Sequence, residues 1–120
     1  MPRIEELQTA RVVATTVEAD LGNKIAQNFR RYIYRVKVIN RHKGPNELTF
    51  GDRLGVAAMT TADTYQMVTQ HETQVDPDEI KKDSLPIYVI QGSTATADRL
   101  LRVVTNNGDA DILVQYVDAP

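Results

Sequence analysis

The sequence predicts an all-β protein: an antiparallel β-sandwich, jelly-roll-like or a small barrel, of about seven to eight strands. Three observations carry this expectation. Val, Ile and Thr number 13, 8 and 12, together 33 of the 120 residues, and their stiff χ1 angles suit a pleated surface better than a helix. Apolar residues recur at every second position in several segments, the period of a strand with one face on a core. Clusters of Gly, Pro, Asn and Asp interrupt those segments at short intervals, as in sandwiches and barrels.

In chain order, residues 1–10 read as an N-terminal arm, with a short helical turn or frayed segment over 3–8, and 11–120 as a single β-sandwich domain. Ile4, Leu7, Ala14, Val17, Leu21 and Ile25 loosely follow helical spacing. The β-branched run from Val12 to Val17 and the glycine at 22 instead favour a strand over 11–19 and a turn over 20–23. The clearest strand is Arg31 to Asn40. Strict alternation places Tyr32, Tyr34, Val36 and Val38 on one face, and Ile33, Arg35, Lys37 and Ile39 on the other. His42 to Asn46 contains Gly44-Pro45 and breaks it. Short strands follow over 47–50, ended by Gly51-Asp52, over 54–59, and over 65–69. Residues 70–84 are polar and acidic without a convincing period, a long loop of the kind that is usually functional. Leu85 to Gln91 has two apolar faces and is expected at the centre of a sheet, with Pro86 at its start. Strands over 100–105 and 112–117 flank Asn106-Asn107-Gly108-Asp109. Asn-Gly favours positive φ at consecutive turn positions, so a hairpin is expected there. The core is expected from 32–38, 87–90, 100–104 and 112–117.

Composition limits function. There is no cysteine, hence no disulfide framework, thiolate metal site or thiol nucleophile. The longest uninterrupted aliphatic or aromatic run is Ile87 to Ile90, far short of a membrane span. The acidic N-terminus, Met1-Pro2-Arg3-Ile4-Glu5-Glu6, does not resemble a signal peptide. Neither histidine, His42 or His71, has the spacing of a zinc protease. There is no nucleophile elbow and no phosphate loop, and neither serine, Ser84 or Ser93, has an activating neighbour in sequence. Asp76-Pro77-Asp78-Glu79 and Asp109-Ala110-Asp111 offer close carboxylates but not the full ligand ladder of a calcium loop. Capping of a short helical turn and turn chemistry account for them better. The expectation is a non-enzymatic protein with no catalytic residue, no metal and no cofactor.

Charge is unevenly distributed. No acid lies between Leu21 and Asn46, while Lys24, Arg30, Arg31, Arg35, Lys37, Arg41 and Lys43 supply 7 of the 14 Lys and Arg residues. Glu72, Asp76, Asp78, Glu79 and Asp83 crowd the long loop. The two segments form a candidate interaction surface, complementary within one subunit or between copies of a homo-oligomer. Phe29, Tyr32 and Tyr34 interleave with the cations, which keeps a nucleic-acid-binding small β-barrel as the alternative. Alternation argues against it, because it turns the tyrosines inward and the cations outward. The net charge of −2 is also unlike that of most nucleic-acid binders.

The order of segments resembles a known class. An extended N-terminal segment precedes Arg31-Tyr32-Ile33-Tyr34-Arg35-Val36-Lys37-Val38-Ile39-Asn40, then come Leu85-Pro86-Ile87-Tyr88-Val89-Ile90-Gln91-Gly92, Leu101 to Asn106 and Ala110 to Val117. This is similar to the small all-β accessory proteins of tailed-phage and archaeal-virus particles, the capsid-decoration and fibre-like sandwiches. The likeness covers most of the chain from residue 12 onward and carries no site residue with it. It implies a symmetric oligomer that adds to a protein shell, and so a place on the virion; without it, the cytoplasm is the expectation.

Overall fold

Period-two burial closes the strands of this chain into two sheets packed face to face. The computed structural model describes residues 7–56, 65–69, 74–75 and 85–120, with 65–69 and 74–75 described as backbone alone. Its strands are β1 (Gln8–Ala14), β2 (Ala19–Asp20), β3 (Arg30–Asn40), β4 (Asn46–Leu54), β5 (Tyr65–Thr69), β6 (Gln74–Val75), β7 (Tyr88–Gln91), β8 (Arg99–Thr105) and β9 (Ala110–Ala119). Among the described residues, two of the nine, β2 and β6, have two residues each, which leaves seven longer strands. Among the described residues no helix is long and apolar enough to cross a membrane.

The first sheet runs β1-β9-β3, with β6 and β7 pairing separate stretches of β3; the second runs β2-β8-β4-β5. Among the described residues every pairing is antiparallel. If β6 and β7 are taken as one interrupted strand, each sheet has four strands, and consecutive strands change sheet everywhere except between β4 and β5. That is the order of a jelly roll. Ile33, Val36, Val38, Ile112 and Val114 from the first sheet meet Leu48, Phe50, Leu101 and Val103 from the second, and Leu21 and Ile25 close the side.

Several boundaries differ from the sequence reading, each for a local reason. The first strand begins at Gln8 instead of residue 11, so part of the expected arm is sheet; it ends at Ala14, where Val17 N–H donates to Thr15 Oγ1 at 3.1 Å in a tight turn. The expected turn over 20–23 instead follows the edge of β8, with Leu21 N–H donating to Leu101 O and Ile25 N–H to Arg99 O, both at 2.9 Å. Gly51-Asp52 does not end β4, because these residues pair with Arg102 and Leu101. The strand expected over 54–59 contributes only Leu54, to β4; 57–59 lie outside the described residues. β5 has the expected bounds. Gln74 and Val75, assigned to the long loop, pair with Ile39 and Val38. β7 was expected to be central, but among the described residues it pairs with β3 alone and keeps Val89 exposed.

The expected hairpin at Asn106-Asn107-Gly108-Asp109 is absent. β8 and β9 lie in different sheets, and neither Asn107 nor Gly108 has a positive φ. The segment is an arch pinned from the opposite loop. The buried Asn46 side chain donates to Gly108 O at 2.9 Å and accepts from Asn107 N–H at 3.2 Å. Thr105 Oγ1 donates to Gly108 O at 2.6 Å. The His42 ring lies so close that a Cβ on Gly108 would stand 2.6 Å from its Nδ1. Glycine is needed here for closeness and not for backbone handedness. His42, in the turn after β3, is half-buried in this arch.

Candidate functional site

One irregularity decides which residues face outward. β3 pairs with β9 in register Ile33↔Tyr116 and then Arg35↔Gln115, so Tyr34 is an extra residue, a β-bulge. A bulge reverses the parity of the strand. Before it, Arg31 and Ile33 point between the sheets; after it, Val36, Val38 and Asn40 do. The strict alternation expected across 31–40 therefore holds only for its second half. Tyr32 joins Arg30, Arg35 and Lys37 on the outer face, where sequence alternation had separated the tyrosines from the cations.

The outer face of the first sheet can be read in rows across β1, β9 and β3. Thr9, Gln115 and Arg35 form one row, Arg11, Leu113 and Lys37 the next, and Val13, Asp111 and Ile39 a third. The last two rows line a groove with an aliphatic floor of Val13, Ile39 and Leu113 and cations at its sides. Val13 is 55% exposed. Asp111 is held by Arg41, whose Nε and Nη2 both donate to Oδ2, at 2.9 and 2.5 Å.

The basic segment is thus divided. Arg30, Arg35 and Lys37 lie on this face. Arg41 is paired with Asp111, Lys24 stands 3.6 Å from Asp98 beside β8, and Lys43 is exposed in the turn after β3. Arg31 corrects the sequence reading outright: it is 1% exposed and belongs to no surface. Its Nε and Nη2 donate to Asp118 Oδ1 and Oδ2 at 2.8 and 2.9 Å, and its Nη1 donates to Asn23 O at 2.8 Å. Its guanidinium carbon lies 4.0 Å from the centre of the Tyr116 ring, so a planar cation is satisfied on its edges and on one face. Glu72, Asp76, Asp78, Glu79 and Asp83, with His71 and Ser84, lie outside the described residues. Arg11 was missed, since it is 13 positions from Lys24 in sequence and only the β1-β9-β3 order brings it beside Lys37.

The remaining polar clusters hold the fold together. Ser93 Oγ accepts from Arg99 N–H at 2.8 Å and donates to Ile25 O. The Arg99 guanidinium pairs with Asp52 and donates to Gly92 O at 3.1 Å. On the outer face of the second sheet, Asp20 pairs with Arg102 at 2.6 Å and Arg53 at 3.6 Å, and Glu18 with Arg102 at 3.4 Å. The Nε atoms of both arginines are buried with no hydrogen-bond partner; the cluster is held through the terminal nitrogens of Arg102, which donate to Asp20 and Glu18, and by charge between Arg53 and Asp20.

Tyr34 and Val117 are 3% and 1% exposed but do not belong to the cluster between the sheets. Burial, and then the charge of the neighbouring Tyr32, push the Tyr34 phenol above its ordinary value of 10.0. The unfolded chain therefore loses this proton at lower pH than the folded one, and stability conferred below the ordinary value is lost as pH rises past it. Tyr34→Phe is expected to flatten that alkaline decline. Urea midpoints measured from about pH 9 to about pH 11 test this, and an unchanged decline in the variant would refute it.

Together these features define a jelly-roll sandwich with a cationic, partly apolar outer face. Compared with known proteins, the chain matches no family model, no curated protein and no solved structure.

Proposed function

We propose that this protein is a non-enzymatic structural and interaction module that assembles with copies of itself and decorates or stabilises a protein shell such as a viral capsid. The outer face of the first sheet supports this most: Arg11 and Lys37 flank exposed Val13 and the aliphatic groove beside it. An exposed aliphatic strip bordered by charge suits a protein surface, with burial supplying affinity and charge fixing register. The polar clusters above are engaged in holding strands and turns. Jelly rolls recur in viral capsid proteins, which agrees with the sequence resemblance at the level of fold analogy. Light scattering at micromolar concentration tests the assembly, which is expected to exceed the monomer mass; a monomer that binds no shell surface refutes it.

Nucleic-acid binding is the second reading, favoured by the bulge that brings Tyr32 among Arg30, Arg35 and Lys37. Under this reading a labelled single-stranded oligonucleotide is retained in a salt-dependent way, and Arg30→Ala with Lys37→Ala lowers the salt slope by about two. Retention that both cations leave unchanged would rule it out. Arg31 is unsuitable for this test because it is buried.

A further inference from the structure

We infer that two copies of this chain join edge to edge through β1, extending the first sheet across a two-fold axis. This rests on the self-assembly reading above and specifies its interface. β1 hydrogen-bonds to β9 on one side, and among the described residues no strand pairs with its other side. Gln8–Ala14 contains no proline and no glycine, and its register with β9 is unbroken. It therefore presents a straight row of backbone donors and acceptors without the proline, bulge or inward charge that usually guards an edge. Its inward side chains, Ala10, Val12 and Ala14, are small and apolar.

Charge disfavours one register and favours another. With the two-fold perpendicular to the sheet, residues facing the same side must pair. An axis through Arg11 would set two guanidinium groups opposite one another, which is unfavourable. An axis through Val12 pairs Val12 with its own copy, Ala10 with Ala14, and Arg11 with Val13. Each Arg11 then lies one strand away from Asp111 of the second copy, because Asp111 is the register partner of Val13. That carboxylate is 39% exposed and takes both Arg41 bonds on Oδ2. Arg11 thus faces an accessible carboxylate across one intervening strand, about 10 Å between backbones, a span an extended arginine side chain can bridge, while Val13 and the groove beside it continue from one copy into the other.

The absence of native cysteine makes the test direct. Val12→Cys is expected to form a disulfide-linked dimer under mild oxidation, since residues on the axis of an antiparallel pair stand about 4.5–5.5 Å apart. Val17→Cys, in the exposed turn after β1, and Val89→Cys, on the opposite edge, are expected not to. In sedimentation, Val13→Lys is expected to raise the dimer dissociation constant about tenfold, through two like-charge pairs with Arg11, and Val13→Glu to lower it about tenfold. An oligomer without crosslinking at position 12, and indifferent to charge at 13, overturns the edge interface and leaves self-assembly standing. A monomer at every concentration overturns both.

Discussion

Replacing Asp118 with Ala is expected to cost about 3–5 kcal/mol of folding stability, among the largest losses any single side chain here would cause. The variant leaves Arg31, 1% exposed, with only Asn23 O and the Tyr116 ring as partners, and a buried cation stripped of its counter-ion has no access to water in compensation. Arg31→Met is expected to fall at the lower end of the same range, about 3 kcal/mol, because the Asp118 side chain is 19% exposed and water can reach the abandoned carboxylate. The Arg31→Met, Asp118→Leu double variant is expected to recover most of either loss, since an apolar pair of similar volume often replaces a buried ion pair at little net cost. Urea unfolding of the three variants measures this. Single losses below about 0.5 kcal/mol, or a double loss equal to the sum of the singles, would show that the pair does not act as a unit.

Gly92→Ala is expected to destabilise by about 3 kcal/mol through backbone collision alone. An added Cβ would stand 2.5 Å from Ala26 O and closer still to Phe29 O. Carbonyls cannot rotate aside as a flexible side chain would, so the segment between β7 and β8 must move. That movement would pull Ser93 away from Ile25 O and Arg99 N–H, and Gly92 O away from the Arg99 guanidinium. Ser93→Ala removes those hydroxyl bonds without the collision and is expected to cost only about 1 kcal/mol. Equal losses in the two variants would place the effect in the hydrogen bonds and not in the space.

Local patterning made the fold class legible, while long-range pairing hid much of its arrangement. Val36 and Val38 alternate with Arg35 and Lys37 as a half-buried strand should, and β9 buries Ile112, Val114 and Tyr116 on every second position. The bulge left no compositional trace. Tyr34 suits either face of a strand, so nothing signalled that Arg31 and Ile33 follow one parity and Val36 the other. A similar limit applies at Asn107-Gly108, where the dipeptide usually makes a hairpin but Asn46, 61 positions earlier, holds it as an arch. Of the candidate surface, the outward placement of Arg35 and Lys37 was foreseen; that of Arg30, the burial of Arg31 and the arrival of Arg11 and Tyr32 required the strand order and the bulge. Pairing between distant strands is a non-local property, and a residue window carries no record of it.

The two flanks of the first sheet are unlike each other. On the far side of β3, β6 and β7 cover separate stretches, and the bulge at Tyr34 falls between them. A bulge increases the local twist of a strand, and a twisted strand is a poorer template for an incoming one. If the proposed β1 contact forms, its two-fold symmetry consumes that edge. A junction of that kind closes after two subunits at that edge instead of propagating as a fibre.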